Sequence, residues 1–255
     1  MWFFVFDTIF IPYMISKAQV KHIRSLDSKK MRYDCKQFIV EGSKMVQELV
    51  KSNFQIVAIY GTKVWREEYL TSNAAAVEYF EITDADLRRI SNFTTPNEVL
   101  AIVQLPDLPL VHEGGITLAL DNIQDPGNLG SIIRIADWYG VSSVVCNTKS
   151  VDFFNHKVLQ ASMGSIFNVP CMTIDLRDYF LSQKERKKYA CVLNGDDIHT
   201  YPKISEGILV IGNESNGVSA ELLELCSHRI TIPKKGRAES LNAAVAAGIV
   251  CDVLI

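Results

Sequence analysis

Six apolar runs in the second half of the chain predict the strands of a parallel β-sheet. Each run is hydrophobic at successive positions with little polar alternation, which is typical of strands covered by helices on both faces. Helical patterns lie between most of the runs, so the predicted fold class is α/β, with a ligand beyond the carboxyl ends of the strands. The runs "ITLALD", "SSVVCN", "NVPCMTI", "YACVLN", "ILVIGN" and "HRITIP" begin at residues 116, 142, 168, 189, 208 and 228.

Residues 38–105 show a shorter alternation of strand and helix patterns. Runs such as "QIVAIYGT" and "VLAIVQL" alternate with amphipathic stretches such as "SKMVQELVKSN". This pattern predicts a small α/β domain of roughly 70 residues. With the basic segment before it, this domain is expected to span residues 17–105, followed by a Pro- and Gly-rich linker at 106–114 and a second domain at 115–255.

Residues 1–16 form an apolar tail that fits neither domain. The opening "MWFFVFDTIFIPY" lacks an early basic residue, and Asp7 and Pro12 interrupt it. A membrane span needs about 20 apolar residues, and a secretory signal begins with positive charge, so neither interpretation fits. We expect Met14 to be the natural start, and endogenous protein that begins at Trp2 would refute this; the alternative is a real, poorly packed N-terminal tail.

Composition and charge narrow the class of protein. Of the 255 residues, 48% are hydrophobic and 22% are charged, as in a globular protein with a full core. The net charge of −3 gives no global sign of nucleic-acid binding, although a local basic patch is sufficient for it. Six cysteines and five histidines lack the spacing of a zinc site or a disulfide framework, so we expect reduced core cysteines, a cytoplasmic location and no metal.

Three short segments are strongly basic. Residues 17–32 contain six lysines and arginines and one acid. Such a run is usually a solvated surface, and the alternative is contact with a phosphate backbone. The run "KERKK" at 184–188 is interpreted as a solvated helix end, whereas "KKGR" at 234–237 follows a predicted strand.

An unusual loop, "DNIQDPGN", follows the first strand of the second domain. Asp125 or Asn128 is suited to cap the next helix, where amide donors lack partners. Pro126 favours a turn, and Gly127 permits close approach of a ligand or a second backbone. Arg134 is about 140° around the helix from the start of the core stripe, so it points outward, as an ordinary exposed arginine or a functional one.

Two further loops stand at strand ends. Glu214 lies between Gly212 and Gly217 in "GNESNG", where the glycines permit tight backbone approach; its ordinary role would be contact with solvent. After the basic turn, Ser240 and Asn242 open a helix rich in Ala and Gly. Ser240 fits the N-cap of that helix, and Asn242 is expected just inside it.

Together, and in this order, the three loops resemble the motifs of a known family. "NIQDPGNLGSIIRIA", "IGNESNGVS" and "IPKKGRAESLNAAVAAGI" are similar to the motifs of the SpoU, or TrmH-like, RNA 2′-O-ribose methyltransferases. Residues 36–105, with "FIVEGSKMVQELV", resemble the ribosomal-protein-like substrate-binding domain of the members that modify rRNA. The one departure is "SLNAAVAAG", where a valine and a serine are more usual after the Asn, and both changes keep the side chains small.

The resemblance implies a SPOUT catalytic domain, which is α/β with a deep trefoil knot at its carboxyl end. It also implies S-adenosylmethionine as cofactor, RNA as substrate and a homodimer through the knotted region, with neither metal nor membrane. It places the catalytic centre on five positions and the cofactor contacts, largely main-chain, on four. The catalytic positions are Asn128, Arg134, Glu214, Ser240 and Asn242, and the cofactor positions are Asn194, Gly212, Ile232 and Leu241.

The implied activity is transfer of a methyl group to a ribose 2′-hydroxyl, with 23S rRNA as the first choice of substrate. The alternatives are a tRNA 2′-O-methyltransferase of the same superfamily and a non-catalytic RNA-binding protein with this fold. A dehydrogenase is disfavoured because no GxGxxG follows the first strand of either half. In this family the motif arginine, here Arg134, has been proposed as the base that removes the proton of the ribose hydroxyl. Because a guanidinium does not normally release its proton, a charge-assisted contact with the target phosphate or stabilisation of a developing alkoxide fits better.

Overall fold

The computed structural model describes residues 14–70, 77–106 and 114–255. Residues 1–13 of the apolar tail and most of the predicted linker therefore lie outside the described residues. The chain divides into two compact units. The first comprises the residues up to Val50 with Gln55–Gln104, and the second comprises Leu105–Ile255 with Lys51–Phe54.

The first unit is a mixed four-stranded sheet with helices. Its elements are α1 (Lys17–Ser25), α2 (Lys29–Cys35), β1 (Gln37–Glu41), α3 (Ser43–Lys51), β2 (Ile56–Gly61), α4 (Lys63–Tyr69), β3 (Tyr79–Glu81), α5 (Asp84–Ile90) and β4 (Val99–Gln104). The strand order is β1-β4-β2-β3. Strand β4 pairs antiparallel with β1 and β2, and β2 and β3 are parallel. The core includes Ile23, Leu26, Ile39, Ile90 and Leu100.

The second unit is built on a six-stranded sheet in which every pairing is parallel, and all six strands predicted from the apolar runs are confirmed. Its elements are β5 (Ile116–Asp121), α6 (Pro126–Trp138), β6 (Ser143–Cys146), α7 (His156–Ser162), β7 (Cys171–Thr173), α8 (Leu176–Ser182), β8 (Lys188–Asp197), β9 (Gly207–Gly212), α9 (Ala220–Leu223), β10 (His228–Thr231) and α10 (Ala243–Leu254). The strand order is β10-β8-β9-β5-β6-β7. From β5 the sheet continues through β6 and β7 on one side and through β9, β8 and β10 on the other. Ligands bind in such sheets in the crevice at this topological switch point, beyond the carboxyl ends of the strands.

Helix α6 begins as the sequence predicts. The Asp125 side chain accepts a hydrogen bond from the amide of Asn128, and Pro126 occupies the first turn. A proline costs nothing there because its missing amide would have no helical partner. The buried stripe of the helix contains Leu129, Gly130, Ile132, Ile133 and Ala136.

Helix α10 packs alongside α6 and ends against the connection between β8 and β9. The Tyr139 hydroxyl, just after α6, donates to Asp252 near the end of α10. The Ile204 amide donates to the Leu254 carbonyl at 2.7 Å, and Lys203 Nζ donates to the Asp252 carbonyl at 2.6 Å. The carboxyl end of the chain is therefore held by a segment that precedes it by about 50 residues.

Two basic side chains that the sequence suggested were solvated are in fact structural. Lys188, the last residue of "KERKK", begins β8, is only 5% exposed and donates to the carbonyls of Gln183 and Arg186, whereas Lys184 and Lys187 are exposed in the turn after α8, as the sequence predicts. Burial lowers the pKa of Lys188. Arg32 in α2 is 3% exposed and donates to the carbonyls of Leu26 and Asp27. The pattern of charged residues along the chain does not indicate these carbonyl partners.

Candidate active site

The three predicted loops meet at the carboxyl edge of the sheet. Asp121 at the end of β5 pairs in register with Gly212 at the end of β9, so the loops that follow these strands are neighbours. Asn213 Nδ2 donates to the Asn122 carbonyl at 3.1 Å, which ties one loop to the other. The third loop, which leads into α10, joins them through Asn242.

Three side chains, one from each loop, form a continuous chain of hydrogen bonds. Asn242 Nδ2 donates to Asn128 Oδ1 at 2.8 Å. Asn128 Nδ2 in turn donates to Glu214 Oε1. Asn242 Oδ1 accepts from the amides of Ala244 and Val245 at 3.0 and 3.2 Å.

The direction of this chain is fixed by the start of α10. The helix amides can only donate, so the Asn242 oxygen must face them and its nitrogen must face Asn128. Asn128 must then present its oxygen to Asn242 and its nitrogen to Glu214. Glu214 is therefore held as an acceptor, which is the role of a carboxylate.

Asn242, and not Ser240, caps α10, which corrects the sequence-based interpretation. Ser240 lies two residues earlier and is exposed in the loop. The Asn242 oxygen accepts from the first amides of α10, and its nitrogen is free to donate to Asn128, so one side chain caps the helix and joins the hydrogen-bonded site. Serine at the cap would offer one oxygen and no amide nitrogen to reach Asn128.

A cavity of about 650 Å³ lies beside Glu214. Its size is in the range of small-molecule sites. The lining consists mainly of residues 191–194, 211–218 and most of 231–241. It includes all four predicted cofactor positions and two predicted catalytic ones: Asn194, Gly212, Ile232, Leu241, Glu214 and Ser240.

One wall of the cavity is an excursion of β8. The strand pairs with β9 as far as Ala190, and its pairing with β10 resumes at Asp196. The intervening residues bulge outward, and Leu193 is largely exposed. Gly195 permits the return of the chain, since a Cβ there would lie 2.6 Å from the Arg229 carbonyl oxygen.

A second wall, residues 232–241, has backbone groups suited to a ligand. Among the residues that the structure describes, the amides and carbonyls of this segment have no hydrogen-bond partner. Unpaired backbone groups are costly unless water or a ligand satisfies them. The segment therefore offers main-chain donors and acceptors to whatever occupies the cavity.

Within a single protomer, Arg134 does not contact the hydrogen-bonded side chains of Asn128, Glu214 and Asn242. It is exposed, does not line the cavity, and has no hydrogen-bond or ion-pair partner in the described part of the chain. It follows Asn128 by six residues on α6, which is about 9 Å along the helix axis and about 120° around it. The predicted outward direction of Arg134 is thus confirmed, and its approach to Glu214 is not seen.

Sequence reasoning missed the polar side chains beneath the loops. Asp121, Asn147 and Asn213 bond to backbone groups of neighbouring loops. Each stands at or just after the end of a strand, which was the available signal. Asn147 is the last residue of the predicted run "SSVVCN".

Two absences among the described residues bear on the class of site. In the ranges 14–70, 77–106 and 114–255, no three His, Cys, Asp or Glu side chains are grouped so as to hold a metal ion. Over the same ranges, no helix has the length and apolar character needed to cross a membrane.

Comparisons with known proteins agree with this geometry. Residues 115–252 match the model of the SpoU rRNA methylase family, and residues 17–101 match that of the MRM3-like substrate binding domain. The chain belongs to the SpoU rRNA methylase family. Across 91% of its length it is 33% identical to the 23S rRNA (guanosine(2553)-2'-O)-methyltransferase RlmP of Bacillus subtilis, of which it covers 93%.

Solved structures of other proteins place the fold in the same SpoU family. A TrmH-family protein from Porphyromonas gingivalis has a TM-score of 0.87 and 34% identity, over 94% of this chain and 98% of that one. An AdoMet-bound rRNA methyltransferase from Sinorhizobium meliloti has a TM-score of 0.82 and 29% identity, over 95% of each chain. The SpoU fold of the second unit and the substrate-binding domain before it are therefore both established.

Proposed function

We propose that this protein transfers a methyl group from S-adenosylmethionine to a ribose 2′-hydroxyl of 23S rRNA. The observation that carries the proposal is the chain Asn242–Asn128–Glu214, because it joins all three family motifs beside one cavity. The relatives that match over both domains include enzymes named for rRNA, among them RlmP of Bacillus subtilis and the Sinorhizobium meliloti rRNA methyltransferase, which favours rRNA over tRNA.

The cavity residues fit the cofactor. Apolar side chains such as Leu193 and Ile232 line the walls, and the backbone of 232–241 offers unpaired donors and acceptors for a nucleoside. Asn194, Gly212, Ile232 and Leu241 would hold it. When bound, S-adenosylmethionine supplies a methyl group that its sulfonium already activates.

The side chains of the site then have to orient the ribose and manage its proton. Glu214, fixed as an acceptor by Asn128, is suited to accept a hydrogen bond from a sugar hydroxyl at the mouth of the cavity. Ser240 offers a further hydroxyl on the cavity wall formed by residues 232–241. Arg134 contributes a charge-assisted contact to the target phosphate or to the developing alkoxide.

Two exposed basic surfaces support binding of RNA. On α1, Lys17, Lys21 and Arg24 recur at helical spacing opposite the buried Ile23, and no carboxylate in the described ranges pairs with them. Lys234 and Lys235 line the cavity itself. Such positions suit the phosphates on either side of a target ribose.

A homodimer through α6 and α10 completes the proposal. Trp138 on α6 is 84% exposed and Val245 on α10 is 51% exposed, which is unusual for large apolar side chains on helices that pack together. Arg134 lies one turn before Trp138 on this surface, so a two-fold contact would bury it against the partner. The hold of residues 203–204 on the end of α10 is consistent with the trefoil knot that we propose for residues 115–255.

The remaining assignments follow the same reasoning. We propose that residues 17–105 bind RNA, that 106–114 link the domains, and that the protein acts in the cytoplasm.

The decisive experiment maps ribose methylation on total RNA from cells with and without the gene. Loss of one 23S site supports the proposal, and loss of a tRNA site establishes the tRNA alternative. If no site is lost and purified protein is inactive, the protein is a non-catalytic RNA binder.

A matched pair of variants tests the role of Arg134. Arg134→Ala is expected to abolish turnover while cofactor affinity by calorimetry is unchanged, because Arg134 does not line the cavity. Arg177→Ala, which removes an exposed arginine paired with Glu221 on another surface, is expected to keep full activity. Arg134→Lys should not restore activity if a two-pronged contact is needed. Normal turnover by Arg134→Ala would contradict the assignment.

A further inference from the structure

We propose that Asp121 and Asn147 form a positioning pair that holds the Glu214 loop, residues 213–219, in the position that the methyl transfer requires. This inference rests on the proposed function, since it concerns how that site is presented. Neither residue belongs to the motif positions considered above, and neither lines the cavity.

Asp121 is a buried carboxylate with a donor on each oxygen. It is the last residue of β5 and is 5% exposed. Its Oδ1 accepts from Asn147 Nδ2 at 2.6 Å, and its Oδ2 accepts from the Ser219 amide at 2.8 Å. Burial of a charge is expensive unless its partners are well placed, so this arrangement requires an explanation.

The Ser219 contact closes the far end of the Glu214 loop. The near end is held by the register of Gly212 with Asp121 and by the bond from Asn213 to the Asn122 carbonyl. Between these anchors, Asn213 and Gly217 pair with each other through their backbones. Both ends of the loop are thus fastened to Asp121, which ends β5, and to Asn122, which follows it.

Asn147 gives this anchor its direction. Its Oδ1 accepts from the Asn122 amide at 3.1 Å, and from the Ser150 amide and hydroxyl at 3.1 and 2.9 Å. Since the oxygen faces these donors, its nitrogen must face Asp121. Asp121 therefore has to accept on both sides, which a carboxylate does and an amide cannot.

The fixed polarity makes an exchange of the two side chains informative. In Asp121→Asn, one of the two donors faces an amide nitrogen. In Asn147→Asp, two carboxylates face each other. In the double exchange the new asparagine accepts from Ser219 and donates to the new aspartate, whose other oxygen keeps the bonds to Asn122 and Ser150. One carboxylate is present, as in the natural protein.

The expected results follow from the position of Glu214. A displacement of about 1 Å at a reacting centre is able to cost about 100-fold in rate. We expect each single variant to lower kcat at least 10-fold and to weaken cofactor binding, at a temperature where circular dichroism shows it folded. The double exchange should recover most of both losses. Amide exchange in 213–219 should be faster in the singles and near normal in the double.

Ser143→Ala is the matched control. It removes a buried side-chain bond to Thr117 between the same two strands, at their opposite ends. It should lower the melting temperature without changing kcat or cofactor affinity. If a single exchange fails to fold, Ser219→Pro tests the same contact from the loop, because the φ of −61° suits proline while its ring replaces the amide donor and pushes the loop away from the Asp121 carboxylate.

Two outcomes would overturn the positioning role: single variants that melt earlier but keep normal kcat and cofactor affinity, or a double exchange that recovers nothing. Failure of the proposed function is distinguishable, because the natural protein would then methylate no RNA while amide exchange and cofactor titration still report on the loop.

Discussion

Asn242 serves both the stability of α10 and the orientation of Glu214, and two substitutions are expected to separate these roles. Asn242→Ala removes the cap on two helix amides and the bond to Asn128. Loss of the cap costs about 1 kcal/mol. Loss of an exposed side-chain bond adds about 0.5–1 kcal/mol. We expect the free energy of unfolding to fall by about 1.5–2 kcal/mol, together with kcat.

Asn242→Asp is expected to keep the helix cap and lose activity. Aspartate caps a helix as well as asparagine does, so the free energy of unfolding should fall only by the bond to Asn128, about 0.5–1 kcal/mol. Its second oxygen, however, would face the oxygen of Asn128. If Asn128 flips to relieve that contact, its oxygen faces Glu214 instead, so one repulsive contact remains in either orientation.

The assay compares urea unfolding with single-turnover methylation for the two variants. The result that supports the chain of bonds is a stable Asn242→Asp whose rate falls at least 10-fold. A stable Asn242→Asp with the natural rate would show that the direction of the chain is irrelevant. An Asn242→Ala of undiminished stability would show that the cap carries no energy.

Three further predictions concern the cavity, the basic turn and the thiols. Gly212→Ala should abolish cofactor binding in calorimetry, because a Cβ at Gly212 would overlap the backbone of Gly217; Gly236→Ala, which meets nothing within 4 Å, should bind normally. Replacing both Lys234 and Lys235 by Gln should make the slope of log RNA affinity against log salt concentration less negative by about 1.4 if both contact single-stranded phosphates. The charge-matched control, Lys184→Gln with Lys187→Gln, should leave that slope unchanged. Burial raises the pKa of Cys226 from 9.0 to about 11, so its thiol should resist iodoacetamide at pH 8 in the native protein and react after unfolding. Because the folded thiol holds its proton more tightly than the unfolded one, the free energy of unfolding should fall as pH rises from about 9 to 11; rapid native alkylation at pH 8 would contradict this.

The sheet was predictable because its strands are buried on both faces. Runs such as "ILVIGN" are apolar at successive positions, which leaves a parallel sheet between helices as the natural interpretation. The loops were predictable as a group because Gly, Pro and Asn gather where these runs end. The resemblance of the three loops to one family then placed Asn128, Glu214 and Asn242 in a single centre, and the structure brings them into contact.

What the sequence did not reveal are partnerships between distant polar groups. The bonds from Asp121 to Asn147 and Ser219 span 26 and 98 residues. Lys188 and Arg32 look like surface charges in the sequence, yet each is satisfied by carbonyls that only the folded chain supplies. Hydrophobic periodicity indicates which side of an element is buried, but it does not indicate which polar group from elsewhere in the chain will bond to that side.

The site also shows why stability and catalysis are coupled at this edge of the sheet. Asp125 and Asn242 cap α6 and α10, and Asp121 fastens the Glu214 loop, so a substitution at any of them disturbs the fold as well as the cavity. Arg134 differs, because it has no hydrogen-bond or ion-pair partner among the described residues and therefore no visible structural duty. Its substitution should leave the fold of a single chain unchanged, so the rate lost by Arg134→Ala, compared at the same oligomeric state, measures its contribution to the transition state.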